Sequence, residues 1–152
     1  MNLIIRTASL DDIETLLTFE QAVINAERNF DNTIKANHTN YYDLEDMITN
    51  PGIKIVVAQS GTEITGCGYA RIEYAKPFFT YKKYCYLGFM YVKPEYRGKG
   101  INQKIIEALQ QWSLEKGITE LRLEVYYENI AAIKAYEKTG FTKLVVEMRK
   151  PL

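Results

Sequence analysis

The segment Tyr84-Cys85-Tyr86-Leu87-Gly88-Phe89-Met90-Tyr91-Val92 is nearly all apolar and runs straight into Lys93-Pro94-Glu95-Tyr96-Arg97-Gly98-Lys99-Gly100. A short apolar run bounded by turn residues reads as a strand covered on both faces, so the chain must supply structure on both sides of a sheet. Beyond the glycines, Ile101, Ile105, Ala108, Leu109 and Trp112 recur at helical spacing, and Gly117 stands where a C-cap belongs. Strand, glycine-rich loop and helix therefore form one unit around which the rest must pack. Gly88 inside the strand points to a bulge or a close backbone approach.

The flanking segments continue the pattern. Leu3 to Arg6 reads as a first strand. Ser9 reads as an N-cap, and Ile13, Leu16, Leu17, Val23 and Ile24 predict a helix over about 10–28. A polar loop holding His38 follows, then a short helix over 41–49 that stops before Pro51-Gly52. Strands are expected over 53–59, 64–75 and 84–93, the first two joined by the turn Ser60-Gly61-Thr62-Glu63. Leu121, Leu123 and Val125 alternate with Arg122, Glu124 and Tyr126, which predicts a strand over 119–127. Asn129 caps a helix over 130–139 that ends at Gly140, and Phe141 to Met148 reads as a last strand. The order β-α-α-β-β-β-α-β-α-β defines an α/β (α+β) protein with a mixed central sheet flanked by helices.

With 152 residues, 47% of them hydrophobic, the chain fits one domain over 1–152. Nineteen Lys and Arg balance nineteen Asp and Glu, so there is no global basic field for nucleic acid. Apolar runs such as Ile53 to Ala58 are too short to cross a membrane. The N-terminus shows no secretory signal, and Cys67 and Cys85 have no metal-ligand spacing, so a cytoplasmic protein with reduced thiols and no metal is expected.

Chemistry concentrates in Arg97-Gly98-Lys99-Gly100-Ile101-Asn102. A helix N-terminus presents unpaired N–H groups and partial positive charge. Glycines let that backbone approach an anion without a Cβ in the way. The loop thus reads as a phosphate or pyrophosphate cradle, with Arg97 and Lys99 adding charge beside it; a solvated glycine-rich turn is the plainer alternative. It matches neither Gly-x-x-x-x-Gly-Lys-Ser/Thr nor Gly-x-Gly-x-x-Gly, which argues against a P-loop NTPase and a dinucleotide fold.

Val92-x-Pro94-x-Tyr96-Arg97-Gly98-x-Gly100-Ile101 resembles the acetyl-CoA pyrophosphate motif of the GNAT acyltransferases. A second stretch, Asn129-x-x-Ala132-x-x-x-Tyr136-x-x-x-Gly140-Phe141, is similar to the motif that follows it in that family. The resemblance covers most of residues 53–150. It implies an N-acetyltransferase that moves an acetyl group from acetyl-CoA to a primary amine by direct attack. It further implies that backbone amides from Arg97 through Gly98, Lys99, Gly100 and Ile101 to Asn102 hold the pyrophosphate. Met90 and Val92 would line the pantetheine arm, and a backbone N–H near Phe89 or Met90 would point at the thioester oxygen. Asn129 would steady the pantetheine, and Tyr136 would sit by the sulfur and donate a proton to the departing thiolate. Glu124, spaced from Asn129 and Tyr136 like the base of the family's protein N-terminal acetyltransferases, is the expected base. Glu73 is the second candidate.

Asn102 stands where the family usually has Gly or Ala. Phe141 to Leu152 has room for one strand where many members have two, so a wider acceptor site, or one covered by a second subunit in a homodimer, is expected. The acceptor is a small-molecule amine or a peptide N-terminus, with no nucleic acid or membrane partner. Tyr69, Tyr74, Tyr81, Tyr84, Tyr86 and Tyr91 cluster around the paired strands, where strand preference accounts for most of them and one or two line the site. Asp43, Glu45 and Asp46 read as a solvated helix face. A non-catalytic acyl-CoA-binding module is the alternative function, and a nucleotide or sugar-phosphate binder a third.

Overall fold

In the computed structural model, which describes residues 2–152, five strands form one sheet in the order β1-β2-β3-β4-β5. These are β1 (Leu3–Thr7), β2 (Ile53–Ser60), β3 (Glu63–Tyr74), β4 (Lys83–Val92) and β5 (Leu121–Arg122). The first four pair antiparallel, and β5 joins β4 in parallel. The helices are α1 (Ile13–Glu27), α2 (Leu44–Thr49), α3 (Ile101–Glu115) and α4 (Ile130–Lys138).

Strand alternation sorts the core onto two faces. Val56 and Ala58 of β2 pack with Ile101, Ile105 and Leu109 of α3, whereas Ile55 and Val57 pack with Leu16 and Phe19 of α1 and Leu44 and Met47 of α2. A strand buried on both sides has no polar face, which explains the unbroken apolar runs. Cys67 and Cys85 are both buried but belong to opposite faces, Cys67 opposite Tyr91 and Cys85 opposite Ile72 in the ladder. Burial pushes both thiols up, so they are inert packing groups.

Strand β4 carries a bulge. Tyr69 faces Gly88 and Cys67 faces Tyr91, so Phe89 and Met90 together oppose Gly68. Phe89 has φ 55°, the one non-glycine residue with positive φ among those described. The extra residue flips the alternation: Cys85 and Leu87 pack toward α3, while Phe89 packs toward α1 and α2. Gly88 is required at this point, because a Cβ there would lie 2.5 Å from the Tyr69 hydroxyl.

Two expected strands are not built as the alternation predicts. Only Leu121–Arg122 of the 119–127 segment is paired, with Tyr86 opposite Arg122 as the last rung. Phe141 to Met148 is in no sheet, and backbone pairing beyond Phe141 is absent among the described residues. Alternation shows that a segment suits a sheet; it does not provide a neighbour. The first helix also starts later than expected, since Leu10–Asp12 forms a 3-10 turn ahead of it. That turn is fastened by Asp12, which accepts from Ser9 N at 2.8 Å and from both Nη atoms of Arg6 at 2.8 and 2.9 Å.

Candidate active site

Beyond the Tyr86–Arg122 rung, β4 and the chain leaving β5 separate, and the backbone N–H groups of Leu123, Glu124 and Val125 have no acceptor among the described residues. The closed end of this wedge is clamped by Arg122, which donates to the Tyr81 hydroxyl and lies over the rings of Phe79, Tyr81 and Tyr84 at 5.0, 5.5 and 5.4 Å. Met90 and Val92 lie further along β4, past the last rung of the wedge.

At the open end of β4 the loop turns into α3. Gly98 and Gly100 have φ 78° and 79°, a conformation only glycine adopts without cost. Among the described residues, no backbone N–H from Gly98 through Lys99, Gly100, Ile101 and Asn102 to Gln103 has an acceptor. Ideal Cβ atoms on both glycines would meet nothing within 4 Å, so the space before these donors is open. The first turn of α3 contains no acidic residue. Bare donors, a helix N-terminus and clear space fit a diphosphate. The loop is braced from below by Glu63, which accepts from Lys93 Nζ at 2.8 Å and Tyr96 Oη at 2.7 Å. The two cations expected beside the cradle are engaged nearby. Arg97 donates from Nε to Val92 O at 2.8 Å and lies over Tyr91, and Lys99 lies over Tyr96. Asn102 is half-buried in the first turn of α3.

Asn129 caps α4, accepting from Ala132 N at 3.2 Å. One turn on, Tyr136 packs edge-on against Phe141 with ring centres 5.9 Å apart. Burial, with the charge of Glu27 behind it, pushes its phenol up to about 12. Glu124 is exposed, and its charge acts on Tyr86, Tyr69 and Tyr126. Glu73 is bonded to Arg71, whose guanidinium also lies over Tyr69 and Tyr86.

Glu27 went unnoticed in the sequence. It closes α1, half-buried, and its carboxyl is held above the usual range by burial, partly offset by the Tyr41 phenol. Its charge is felt at Tyr136, Tyr86 and Tyr126, so α1 delivers a carboxylate to the region of both predicted catalytic residues. The wall continues with Phe30, stacked on Tyr126 at 5.8 Å, and Asp31, which accepts from the Tyr126 hydroxyl at 3.5 Å. Higher on α1, buried Glu20 accepts from the backbone N–H of Tyr41 and Tyr42, each at 2.8 Å, tying the loop before α2 to the helix. The signal was present: Leu16, Glu20, Ile24 and Glu27 share one stripe of α1, so two carboxylates sit on its buried face.

A mixed sheet whose β4–β5 ladder stops after two rungs thus lies beside a glycine-rich helix N-terminus. The sequence profile of the acetyltransferase (GNAT) family matches residues 21–141, and the chain belongs to that family. Bovine (Bos taurus) thialysine N-epsilon-acetyltransferase is 40% identical over 73 residues, covering 45% of this chain and 43% of that protein. Aminoglycoside N(6')-acetyltransferase type 1 of Stenotrophomonas maltophilia is 29% identical over 90 residues, covering 56% and 59%. The chain thus spans about half the length of the curated relatives it matches. A mutant of the BH1408 protein of Bacillus halodurans superposes with TM-score 0.89 at 21% identity, over 98% of this chain and 99% of that one. A predicted acetyltransferase of Clostridium acetobutylicum, solved with acetyl-CoA, does so at 0.74 and 20% identity, over 97% and 96%.

Proposed function

We propose that residues 1–152 form one domain that transfers an acetyl group from acetyl-CoA to a primary amine. The observation that carries this is the run of bare N–H donors from Gly98 to Gln103, facing open space beside a splayed sheet. The C. acetobutylicum neighbour, solved with acetyl-CoA, and the amine acetyltransferases among the relatives support it. Acetyl-CoA supplies the activated acyl group.

In this reading the loop amides hold the diphosphate, and Met90 and Val92 line the arm. The bulge at Phe89 turns a main-chain donor toward the acyl oxygen, where negative charge gathers as nitrogen attacks. Glu124 takes the proton of the acceptor ammonium through water. Glu27, with Asp31 and the rings of Tyr126 and Tyr86, attracts and seats that cation. Tyr136 donates a hydrogen bond to the departing thiolate, since a phenol held near 12 stays protonated throughout the working range. Glu73 has no part, being tied to Arg71.

The test is an acetyl-CoA turnover screen over a mixed library of amines, amino acids, aminoglycosides and peptide N-termini, read by thiol release, with calorimetry for coenzyme A. Turnover with at least one amine is expected. Tight coenzyme A binding without turnover would favour a non-catalytic module, and stabilisation by ADP that coenzyme A does not exceed would overturn the cofactor assignment.

A further inference from the structure

Arg71 stands opposite Tyr86 in the β3–β4 ladder, on the face of the sheet where Tyr69 and Tyr86 pack toward α1 and α2. Its guanidinium lies over both rings, 5.6 Å from the centre of Tyr69 and 5.3 Å from that of Tyr86. Nε donates to Glu73, and this is the one hydrogen bond that the side chain makes among the described residues. The N–H groups of both Nη atoms are therefore left without an acceptor. The side chain is 40% exposed, so that free edge is open to an incoming molecule. Two rings and one carboxylate thus fix the plane of a guanidinium whose fork is unused. A fork held in that way is preorganised for a planar anion, above all a carboxylate, which it can bind through two parallel N–H groups.

Negative groups approach the same rings from the other side. The charge of Glu124 acts on both Tyr69 and Tyr86, and that of Glu27 acts on Tyr86. Tyr86 thus lies between a guanidinium on β3 and two carboxylates, one from the chain leaving β5 and one from α1. Strands β3 and β5 flank β4, so they run roughly 10 Å apart, a span that one small molecule charged at both ends can bridge. A simple amine would use only the negative side of this arrangement. A zwitterion uses both and adds no net charge: its ammonium meets Glu124 and Glu27, and its acid group meets Arg71.

We propose that the acceptor carries a carboxylate as well as the reacting amine, and that Arg71 binds this carboxylate through its Nη edge between the rings of Tyr69 and Tyr86. The proposal rests on the acetyltransfer reading for the fate of the amine, and it narrows the acceptor to an amino acid. Glu73, set aside as a base, is a positioning residue that holds Nε and turns the fork outward.

The test compares glycine, β-alanine, γ-aminobutyrate and ε-aminocaproate with their carboxamides and with aminoalkylphosphonates of matching length. Each is measured by acetyl-CoA turnover and by calorimetry on protein saturated with coenzyme A. At least one amino acid should exceed its carboxamide about tenfold or more in kcat/KM and in affinity. Arg71→Gln should abolish that preference, and Arg71→Lys, which keeps the charge but loses the fork, should retain only part of it. Glu73→Gln should raise KM for the amino acid more than it lowers kcat, a split that general damage to the fold would not produce. Circular dichroism and coenzyme A calorimetry confirm that each variant is folded. Equal handling of acid and carboxamide by the unaltered protein, absence of binding included, overturns the proposal, as does a preference that survives Arg71→Gln. A phosphonate preferred to every carboxylate overturns the choice of anion. Acid-selective binding that depends on Arg71, found without turnover, upholds this site while the acetyltransfer reading falls. Turnover without acid preference does the reverse.

Discussion

Tyr136 and Glu27 oppose each other in a way that either residue alone would not reveal. Burial, and the charge of Glu27, make the Tyr136 phenol hold its proton more tightly, so it remains a hydrogen-bond donor to the departing thiolate, while full transfer to a group whose ordinary value lies near 8.5 runs uphill. Tyr136→Phe should lower kcat about a hundredfold while leaving coenzyme A affinity unchanged, as steady-state kinetics and calorimetry would show. Glu27 is costly for the fold. A carboxyl raised in the folded state binds more protons there than in the unfolded chain, so its contribution to stability falls as pH rises above the ordinary glutamate value of 4.5. Glu27→Gln should therefore raise Tm at neutral pH and flatten the decline between acid and neutral solution in a thermal series. It should also raise KM for the amine more than it lowers kcat, whereas Glu124→Gln should act chiefly on kcat. At this scale motif spacing in the sequence nominated Tyr136 and Glu124 for roles that these measurements test. Glu27 was legible only by asking why an apolar helix stripe carries two carboxylates, and its reach toward Tyr136 depends on how α1 crosses the sheet, which no local pattern encodes.

Among the elements, those stabilised by short-range chemistry were read well and those that depend on a distant neighbour were not. Helix α3, with its glycine entry and Gly117 exit, and the hairpin of β2 and β3 follow from capping, turn residues and periodicity. The hint of a bulge at Gly88 proved half of the explanation: the glycine admits Tyr69, while the extra residue is Phe89 next door. The strands expected over 119–127 and 141–148 have the right alternation, yet one pairs over two residues and the other not at all. The cradle offers a separate test. Gly98 and Gly100 have open space around them, so alanine there would clash with nothing in the protein but would force a left-handed backbone at about 1–2 kcal/mol each. The double variant Gly98→Ala/Gly100→Ala should lose a few degrees of Tm and at least about tenfold in coenzyme A affinity by calorimetry, because a backbone driven out of the left-handed conformation no longer presents its N–H groups together.

For the whole molecule, the face-by-face division of the core leaves one part of the chain without cover. Each of Leu144, Val145, Val146 and Met148 would gain about 1.5–3 kcal/mol on full burial, a large sum against a typical folding free energy. The splayed sheet has a consequence of its own. Past the Tyr86–Arg122 rung, β4 lacks the neighbour that a complete sheet would give it, so the wedge is a sheet with one strand left out. A ligand whose amide-bearing tail fills that gap acts as the absent strand, and binding and folding become a single event there. Deuterium uptake along β4 beyond Tyr86 should then slow when coenzyme A is added, while β1 and β2, already paired, keep their pace.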